Sequence, residues 1–292
     1  MVTTNNIIDG KKISSDIKEE IASKVAERKA QNKKLPHLAI ILVGDDGASQ
    51  TYVDNKVKAC KSVGFHYTMM RFADTISEEK LLKHIDHVNN DEDVDGFIVQ
   101  LPLPPHISVE KITEKIRADK DVDGFTNQNF GSIISKNPLL MPATPFGVME
   151  LLRRYNVDLV GKHAVVVGAS RITGAPLSMM LTQGHATVTI CHKYTADLPT
   201  FTRAADILLV AVGRPGLITG DMVKEGAVVI DIGTTRVEGP EYPKGWAIKG
   251  DVDFKNVAPK ASFITPVPGG VGPMTIASLL LNTLRAAELR NP

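Results

Sequence analysis

Several residue types that define particular classes of protein are scarce in this chain of 292 residues. It has two cysteines, Cys60 and Cys191, far apart in the sequence, which argues against a disulfide framework and indicates a reducing compartment. Aromatic residues make up 5% of the chain, and no arginine-rich patch is interleaved with them. Because the net charge of +1 adds no attraction to nucleic acid, we expect no nucleic-acid partner.

Long hydrophobic runs are missing as well. No apolar stretch approaches the roughly 18 residues that a membrane-spanning helix needs, and the amino-terminal MVTTNNIIDGKK lacks the apolar core of a signal peptide. We therefore expect a cytoplasmic protein without membrane contact. His84 and His87 are spaced as ligands on one helix, but no third ligand is evident, so we expect no metal site.

What the chain does contain is a regular alternation of strand and helix patterns. Nearly continuous runs of valine and isoleucine are typical of parallel strands that are buried on both faces. Such runs occur in the second half at 163–170, 186–192, 206–213 and 227–233, and the strands predicted in the first half are 38–43, 66–72 and 96–99. We predict an α/β fold made of two α/β domains.

The proline-rich segment 137–147 marks the predicted boundary between these domains. We assign residues 1–141 to the first domain and residues 142–271 to the second. The last helix, about 272–292, is expected to pack back on the first domain.

The second domain contains a turn, VVVGASRITGAP, that joins a buried strand to a helix. Gly168 allows a tight turn, and Gly174 allows close packing or the approach of a ligand. Ser170 can present its hydroxyl and N–H to a phosphate at the helix N-terminus. This context predicts a Rossmann-like dinucleotide site, although the pattern is G-x-S-x-x-x-G and a plain strand-to-helix turn would also need glycine.

The end of the following strand indicates which dinucleotide is bound. An enzyme that uses NAD carries Asp or Glu there for the ribose 2′-hydroxyl, whereas this chain has His192 and Lys193. These side chains suit a 2′-phosphate, which favours NADP over NAD. The alternative is that Lys193 is a solvated loop lysine.

In the first domain, Tyr52 and Lys56 lie one turn apart on the helix that follows the first strand. Gln100 leaves strand 96–99 at its C-terminal end, so it emerges at the same sheet edge as that helix. This shared edge groups the three side chains. The competing interpretation is a half-packed tyrosine beside a solvated surface lysine.

Two similar segments, DEDVDGF at 91–97 and DKDVDGF at 119–125, match the first half of a calcium loop. The twelfth position, where calcium needs a bidentate glutamate, is Pro102 in one segment and Phe130 in the other. This excludes calcium for both. Asp123 follows a helix and lies in a turn that could reach the ligand edge.

The chain resembles the bifunctional methylenetetrahydrofolate dehydrogenase/cyclohydrolase family over nearly its whole length. The matching segments run in family order: VGDDGASQTYVDNKVKAC, QLPLP, DKDVDGF, PATPFG, VVVGASRITGAP, VGRPG, GDVDF and TPVPGGVGPMTIASLLLNT. The resemblance implies that NADP oxidises 5,10-methylenetetrahydrofolate to the methenyl form, which is then hydrolysed to 10-formyltetrahydrofolate. It also implies a homodimer and a cleft between the two domains.

The resemblance also implies roles for the residues at matching positions. Lys56 is the principal catalytic group, and Tyr52 stacks on the folate. Gln100 tunes the lysine, and Asp123 holds the pterin. The folate side further includes Leu101, Pro268, Gly269 and Gly270, and the cofactor side comprises Gly168, Ala169, Ser170, Ile172, Thr173, His192, Lys193 and Thr234.

Charge constrains the expected chemistry. Because the methenyl group is positive, a charged Lys56 beside it is unfavourable, and we expect the neutral amine to activate water. Gln100 carries no charge, so its role must be orientation. Asp123 can accept hydrogen bonds from the pterin as a charge-assisted pair.

Three positions depart from the family pattern. Ala143 stands in the boundary segment where a cysteine is usual. Ala169 replaces a common arginine, which moves recognition of the 2′-phosphate toward Lys193 and Arg171. Thr234 lies where an apolar contact to the cofactor is usual.

Two rival interpretations stand beside this one. Another two-domain NAD(P)-dependent dehydrogenase, of the shikimate or amino-acid type, would also carry a catalytic lysine. The tyrosine one turn before Lys56, together with QLPLP, disfavours it. A non-catalytic nucleotide-binding protein is disfavoured by the presence of both Lys56 and Gln100.

Overall fold

A computed structural model of the protein describes residues 6–135 and 138–292. Residues 1–5, which begin the segment considered for a signal peptide, and Asn137, the first residue of the predicted boundary segment, lie outside the described residues. The chain divides into two units, which we name after their sheets. The three-stranded unit comprises Ser15–Ala143 and Ile276–Pro292, and the five-stranded unit comprises Thr144–Thr275 with the described residues up to Ser14.

The three-stranded unit is built on a parallel sheet in the order β2-β1-β3. Its central strand is buried from Leu38 to Val43, as its apolar sequence predicts. The strands are β1 (His37–Val43), β2 (His66–Phe72) and β3 (Gly96–Val99). The helices are α1 (Gly10–Ala30), which begins before this unit, α2 (Gly47–Val63), α3 (Glu78–Asn90), α4 (Val109–Lys115) and α5 (Asn127–Ile134).

Capping residues explain where these helices begin and end. The Asp46 carboxylate accepts the N–H of Ser49 at 2.7 Å and so starts α2 directly after the sheet edge. Ser77 and Thr126 cap α3 and α5 in the same way. Gly64 ends α2 with a φ of 79°, which favours glycine.

The five-stranded unit contains a parallel sheet in the order β10-β7-β6-β4-β5. The strands are β4 (His163–Val167), β5 (Thr187–Cys191), β6 (Ile207–Val210), β7 (Val228–Asp231) and β10 (Phe263–Ile264), with an antiparallel hairpin formed by β8 (Thr235–Glu238) and β9 (Trp246–Lys249). The helices are α6 (Ala143–Arg154), α7 (Gly174–Gln183), α8 (Leu198–Thr202) and α9 (Phe254–Val257), with a 3₁₀ turn at Gly220–Met222.

The strand order of the larger sheet reverses at β4, because β5 lies on one side of it and β6 on the other. Open parallel sheets bind ligands beyond the carboxyl ends of their strands at such a reversal. The turn after β4 and the loop after β6 meet at this point. The two parallel sheets and this reversal confirm the prediction of an α/β fold with a Rossmann-like second domain.

The amino-terminal residues differ from the predicted assignment, which placed residues 1–141 together. The N–H of Ile8 donates to the carbonyl of Ile264 at 2.8 Å, beside the last strand of the five-stranded unit. The N–H of Asp9 donates to the hydroxyl of Tyr155 at 2.7 Å. These bonds place the described residues up to Ser14 with the five-stranded unit. Sequence periodicity gave no signal for them, because a single strand bridge has no repeat.

The last helix, α10 (Val271–Arg290), contributes its residues from Ile276 onward to the three-stranded unit. Within this part, the amide of Asn282 is buried and donates two hydrogen bonds. Its Nδ2 lies 2.8 Å from the carbonyl of Val122 and 2.7 Å from that of Met141. One side chain therefore satisfies two backbone acceptors, one in the turn that contains Asp123 and one in the segment that precedes α6.

We expect Asn282→Ala to lower the free energy of unfolding by about 2 to 4 kcal/mol, because it leaves two carbonyls without their donor. Urea unfolding measures this change. Asn90→Ala is the matched control, since the Asn90 amide donates to the Asp86 carbonyl at an exposed position. Equal small losses in both variants would contradict the role given to Asn282.

Candidate active site

Lys56 lies on the buried face of α2, and 8% of it is exposed. Val53, Cys60 and Val63 share this face and are buried. Burial raises the pKa of the Cys60 thiol to about 12, so this neighbour stays a neutral thiol. The Lys56 Nζ donates to Gln100 Oε1 at 3.1 Å. Lys56 is therefore an inward-facing amine with a specific acceptor, and the interpretation as a solvated surface lysine is wrong.

Gln100 is held at the end of β3 in an orientation that suits this contact. Its backbone N–H donates to the carbonyl of Ile41 at 2.9 Å, which continues the pairing of the sheet. Its Nε2 donates to the carbonyl of Leu101 at 2.7 Å. Since that bond fixes the nitrogen end of the amide, the oxygen end faces Lys56. The lysine thus has an oriented partner that carries no charge.

Asp123 lies in a turn that a second aspartate shapes. The buried carboxylate of Asp121 accepts the N–H of Gly124 at 3.0 Å and that of Thr126 at 2.8 Å. Gly124 has a φ of 72°, and an added Cβ would lie 2.5 Å from the backbone nitrogen of Pro142. Only glycine fits this position, so the backbone around Asp123 has little freedom.

The half-buried carboxylate of Asp123 makes no hydrogen bond to residues 6–135 or 138–292. Burial raises the pKa of Asp123 above its usual value, the positive charge of Lys56 opposes this rise, and the charge of Asp121 adds to it. Asp123 and Lys56 therefore lie within electrostatic reach of each other. The free carboxylate can accept from a ligand.

Tyr52 lies on α2 one turn before Lys56, and 52% of its side chain is exposed. An exposed ring next to a buried amine can stack on a planar ligand while the amine meets its reactive atom. The three-stranded unit thus contains Tyr52, Lys56, Gln100, Leu101 and Asp123 from the predicted set. The remaining residues predicted for the folate, Pro268, Gly269 and Gly270, lie in the five-stranded unit, where the Gly269 carbonyl accepts the N–H of Lys11 at 3.1 Å.

At two positions the turn after β4 leaves no room for a side chain. Gly168 has a φ of 123°, and an added Cβ would lie 2.2 Å from the carbonyl oxygen of Ala211. At Gly174, which begins α7, an added Cβ would lie 1.8 Å from the Gly168 oxygen. Between these glycines Ala169, Ser170 and Ile172 are exposed and Thr173 is half-buried. The tight, exposed turn at the N-terminus of a ten-residue helix fits a dinucleotide phosphate.

The loop after β5 adds a positive charge at the same sheet edge. His192 and Lys193 are exposed, and the Lys193 Nζ lies 4.8 Å from the centre of the Tyr194 ring. The loop is closed by Thr195, whose Oγ1 accepts the N–H of His192 at 2.8 Å. Thr234, which follows β7, is also exposed. A glycine cradle beside a loop that carries His192 and Lys193, at the strand end where NAD enzymes carry an acid, fits NADP.

Asp121 is a residue that the sequence analysis missed. Its signal was present, since it is the middle aspartate of DKDVDGF, but within that segment the sequence pointed only to Asp123. In the structure the Asp121 carboxylate binds backbone N–H groups rather than a cation.

Within the described ranges, no group of three or more His, Cys, Asp or Glu side chains is placed to hold a metal ion. None of the helices in those ranges has both the length and the apolar character to cross a membrane.

Comparison with known proteins gives matches along nearly the whole chain. The profile described as tetrahydrofolate dehydrogenase/cyclohydrolase, catalytic domain, matches residues 8–123, and the NAD(P)-binding domain profile of the same name matches residues 142–291. The bifunctional protein FolD of Flavobacterium johnsoniae is 54% identical over 289 residues, and the match covers 98% of each chain.

Solved structures agree with the sequence matches. The bifunctional FolD methylenetetrahydrofolate dehydrogenase/cyclohydrolase of Campylobacter jejuni superimposes with a TM-score of 0.93 at 47% identity, covering 97% of this chain and 99% of that one. The Trypanosoma brucei dehydrogenase-cyclohydrolase, solved with NADP and an inhibitor, gives 0.92 at 38% identity and covers 97% of each chain.

The rival of the shikimate type has only a distant likeness. Shikimate dehydrogenase from Aquifex aeolicus superimposes with a TM-score of 0.51 at 14% identity, which shows a shared fold alone. The two matched profiles, by contrast, together span most of the sequence, and the curated relative shares more than half of its residues. The chain therefore belongs to the tetrahydrofolate dehydrogenase/cyclohydrolase family.

Proposed function

We propose that the protein oxidises 5,10-methylenetetrahydrofolate to 5,10-methenyltetrahydrofolate with NADP and then hydrolyses the product to 10-formyltetrahydrofolate. The observation that carries this function is the buried Lys56, whose amine is bound to the neutral Gln100 and lies within reach of the free carboxylate of Asp123. Family membership supplies the substrate.

Lys56 is the base of the hydrolytic step. Its neutral amine takes a proton from water as the water oxygen bonds to the methenyl carbon. It returns that proton to the ring nitrogen as the bond between that nitrogen and the carbon breaks. The remaining hydroxyl proton leaves to solvent as the formyl group forms. A neutral acceptor such as Gln100 orients the amine and favours the ammonium form less than a carboxylate in its place would.

Asp123 and Tyr52 position the substrate for both steps. The ionised Asp123 carboxylate accepts from N–H groups of the pterin, and it makes no competing bond within the described residues. The exposed Tyr52 ring stacks on the planar part of the folate. These contacts order the folate so that its one-carbon group meets Lys56. They raise the rate by positioning the reacting groups and take no part in bond making or breaking.

The turn from Gly168 to Thr173 binds the diphosphate of NADP, and Lys193 with His192 binds the 2′-phosphate. When bound, the nicotinamide accepts the hydride of the oxidative step. The protein supplies no acid or base to that step, because its task is to hold the cofactor against the folate carbon. Thr234, exposed after β7, lies at the same sheet edge and completes the expected cofactor set.

Two finer expectations belong to the same proposal. The homodimer rests on the family resemblance. The cytoplasmic location rests on the composition and on the two cysteines, Cys60 and Cys191, which are free and buried.

Lys56→Met is expected to lower the cyclohydrolase rate by about 10²- to 10⁴-fold, because the proton-transfer group is lost, while NADP binding stays nearly unchanged. Hydrolysis of methenyltetrahydrofolate, followed by the loss of its absorbance, measures the rate. Lys58→Met, an exposed lysine of the same helix, is the matched control. Turnover by Lys56→Met well above the spontaneous rate would refute the role of Lys56.

Lys193→Ala is expected to raise the KM for NADP by about 10- to 100-fold, with little effect on the KM for NAD, because one charged hydrogen bond to the 2′-phosphate is lost. Initial rates with each dinucleotide measure the two constants. Lys162→Ala removes an exposed lysine that precedes β4 at the opposite edge of the sheet and serves as control. Equal changes for NADP and NAD would show that Lys193 does not read the 2′-phosphate.

Asp123 predicts a pH dependence. Because its pKa is raised, the carboxylate takes up a proton at a higher pH than an ordinary aspartate does, and it then stops accepting from the pterin. The KM for methylenetetrahydrofolate should therefore rise as the pH falls through this raised pKa. Asp123→Asn should raise the KM by about tenfold and remove this acidic limb. The exposed Asp93→Asn is the control and should keep the rise of KM at acid pH. If Asp123→Asn also keeps this rise, another group causes it.

A further inference from the structure

The loop after β6 packs against the dinucleotide turn, which runs from Gly168 to Thr173. The carbonyl oxygen of Ala211 lies so close to Gly168 that an added Cβ would stand 2.2 Å from it. The next three residues all donate their backbone N–H to one carboxylate, that of Asp251. The distances are 2.7 Å from Val212, 3.0 Å from Gly213 and 2.7 Å from Arg214.

A second carboxylate holds the first one in place. Asp231, the last residue of β7, accepts the backbone N–H of Asp251 and of Val252 at 2.9 Å each. It also accepts the N–H of Gly233 at 3.0 Å, in the turn that leads to Thr234. Asp231 at the end of β7 therefore holds the backbone of Asp251, and the Asp251 carboxylate holds the loop that packs against the dinucleotide turn.

Both carboxylates are enclosed, since Asp231 is 3% exposed and Asp251 is fully buried. An added Cβ on Gly233 would lie 2.4 Å from the Asp251 carboxyl carbon, and one on Gly250 would lie 2.0 Å from Asp231 Oδ2. These glycines leave the space that the carboxylates occupy. The six N–H groups are backbone donors, so an acceptor with a negative charge satisfies them better than a neutral amide does.

We propose that Asp231 and Asp251 are positioning residues of the dinucleotide site, and that their carboxylates hold the loop after β6 and the turn after β7 in the conformation that binds NADP. The inference rests on the proposed function in that NADP is the cofactor. It adds two residues that do not touch the cofactor but set the backbone that does.

The ionisation of Asp231 links this positioning to pH. Burial and, to a smaller extent, the charge of Asp251 raise the pKa of Asp231 to about 6, although its three backbone N–H donors oppose the rise. Asp231 lines a surface pocket, and the other titratable side chains that the described residues place in its lining are Tyr242, Lys249, Asp253 and Lys255. A protonated carboxyl presents a donor to N–H groups. The three hydrogen bonds that Asp231 accepts are therefore all formed above this pKa, and they weaken as the pH falls below it.

Substitution tests the positioning role. Asp251→Asn replaces one acceptor oxygen by a donor, and it should raise the Kd for NADP at pH 7.5 by roughly tenfold or more. Asp253→Asn, in the same GDVDF segment, is the matched control. Titration calorimetry gives Kd, and cooperative unfolding of the variant in urea shows that it is folded.

These readouts separate two kinds of failure. A wild-type protein without cyclohydrolase activity or NADP binding would refute the proposed function. An Asp251→Asn variant that is folded and binds NADP with the wild-type Kd would overturn the positioning role alone.

The wild-type protein tests the ionisation link without any substitution. If binding favours ionised Asp231, the protein must release a proton when the dinucleotide binds near this pKa. Calorimetry with NAD in two buffers of different ionisation enthalpy, between about pH 5.5 and 7.5, measures the release. NAD is used because the 2′-phosphate of NADP itself titrates near pH 6. We expect release below about pH 6.5 in the wild type and in Asp253→Asn, and none in Asp231→Asn. Absence of release in the wild type would overturn the link.

Discussion

Aspartate carboxylates that are buried among backbone N–H groups hold the loops of both units. Asp121 shapes the turn that presents Asp123, and Asp251 gathers the loop beside the dinucleotide turn. Burial of a carboxylate is unfavourable unless donors compensate it. A loop that relaxes would therefore leave a charge without its donors. Because of this cost, each loop is held in the conformation that keeps its N–H donors on the carboxylate.

Lys56 shows the complementary arrangement for an amine. A carboxylate at the position of Gln100 would favour the ammonium form, which cannot act as a base and is repelled by a positive methenyl group. The amide of Gln100 instead supplies direction without charge, because Leu101 fixes its nitrogen end. The carboxylate of Asp123 lies within electrostatic reach of Lys56 and is left to bind the substrate. Orientation and charge are thus provided by different residues.

Most regular elements could be predicted from the sequence, because strands buried on both faces and amphipathic helices leave clear patterns. Predicted strands at 66–72 and 96–99 correspond to β2 and β3 residue for residue. Helices α5, α8 and α9, the hairpin β8–β9 and the two-residue strand β10 were not predicted. These elements are short, and their formation depends on partners distant in the chain, such as the pairing of β10 with β7.

The sequence by itself determined the alternation that produces two parallel sheets, the glycines of the dinucleotide turn and, through family resemblance, the substrate. It also placed Tyr52, Lys56 and Gln100 at one sheet edge. Only the tertiary structure decided that Lys56 is buried, which end of the Gln100 amide it meets, and that Asp231 and Asp251 gather backbone N–H groups. Sequence periodicity reports local conformation, whereas the solvation and partners of a side chain are set by segments that folding brings together from distant parts of the chain.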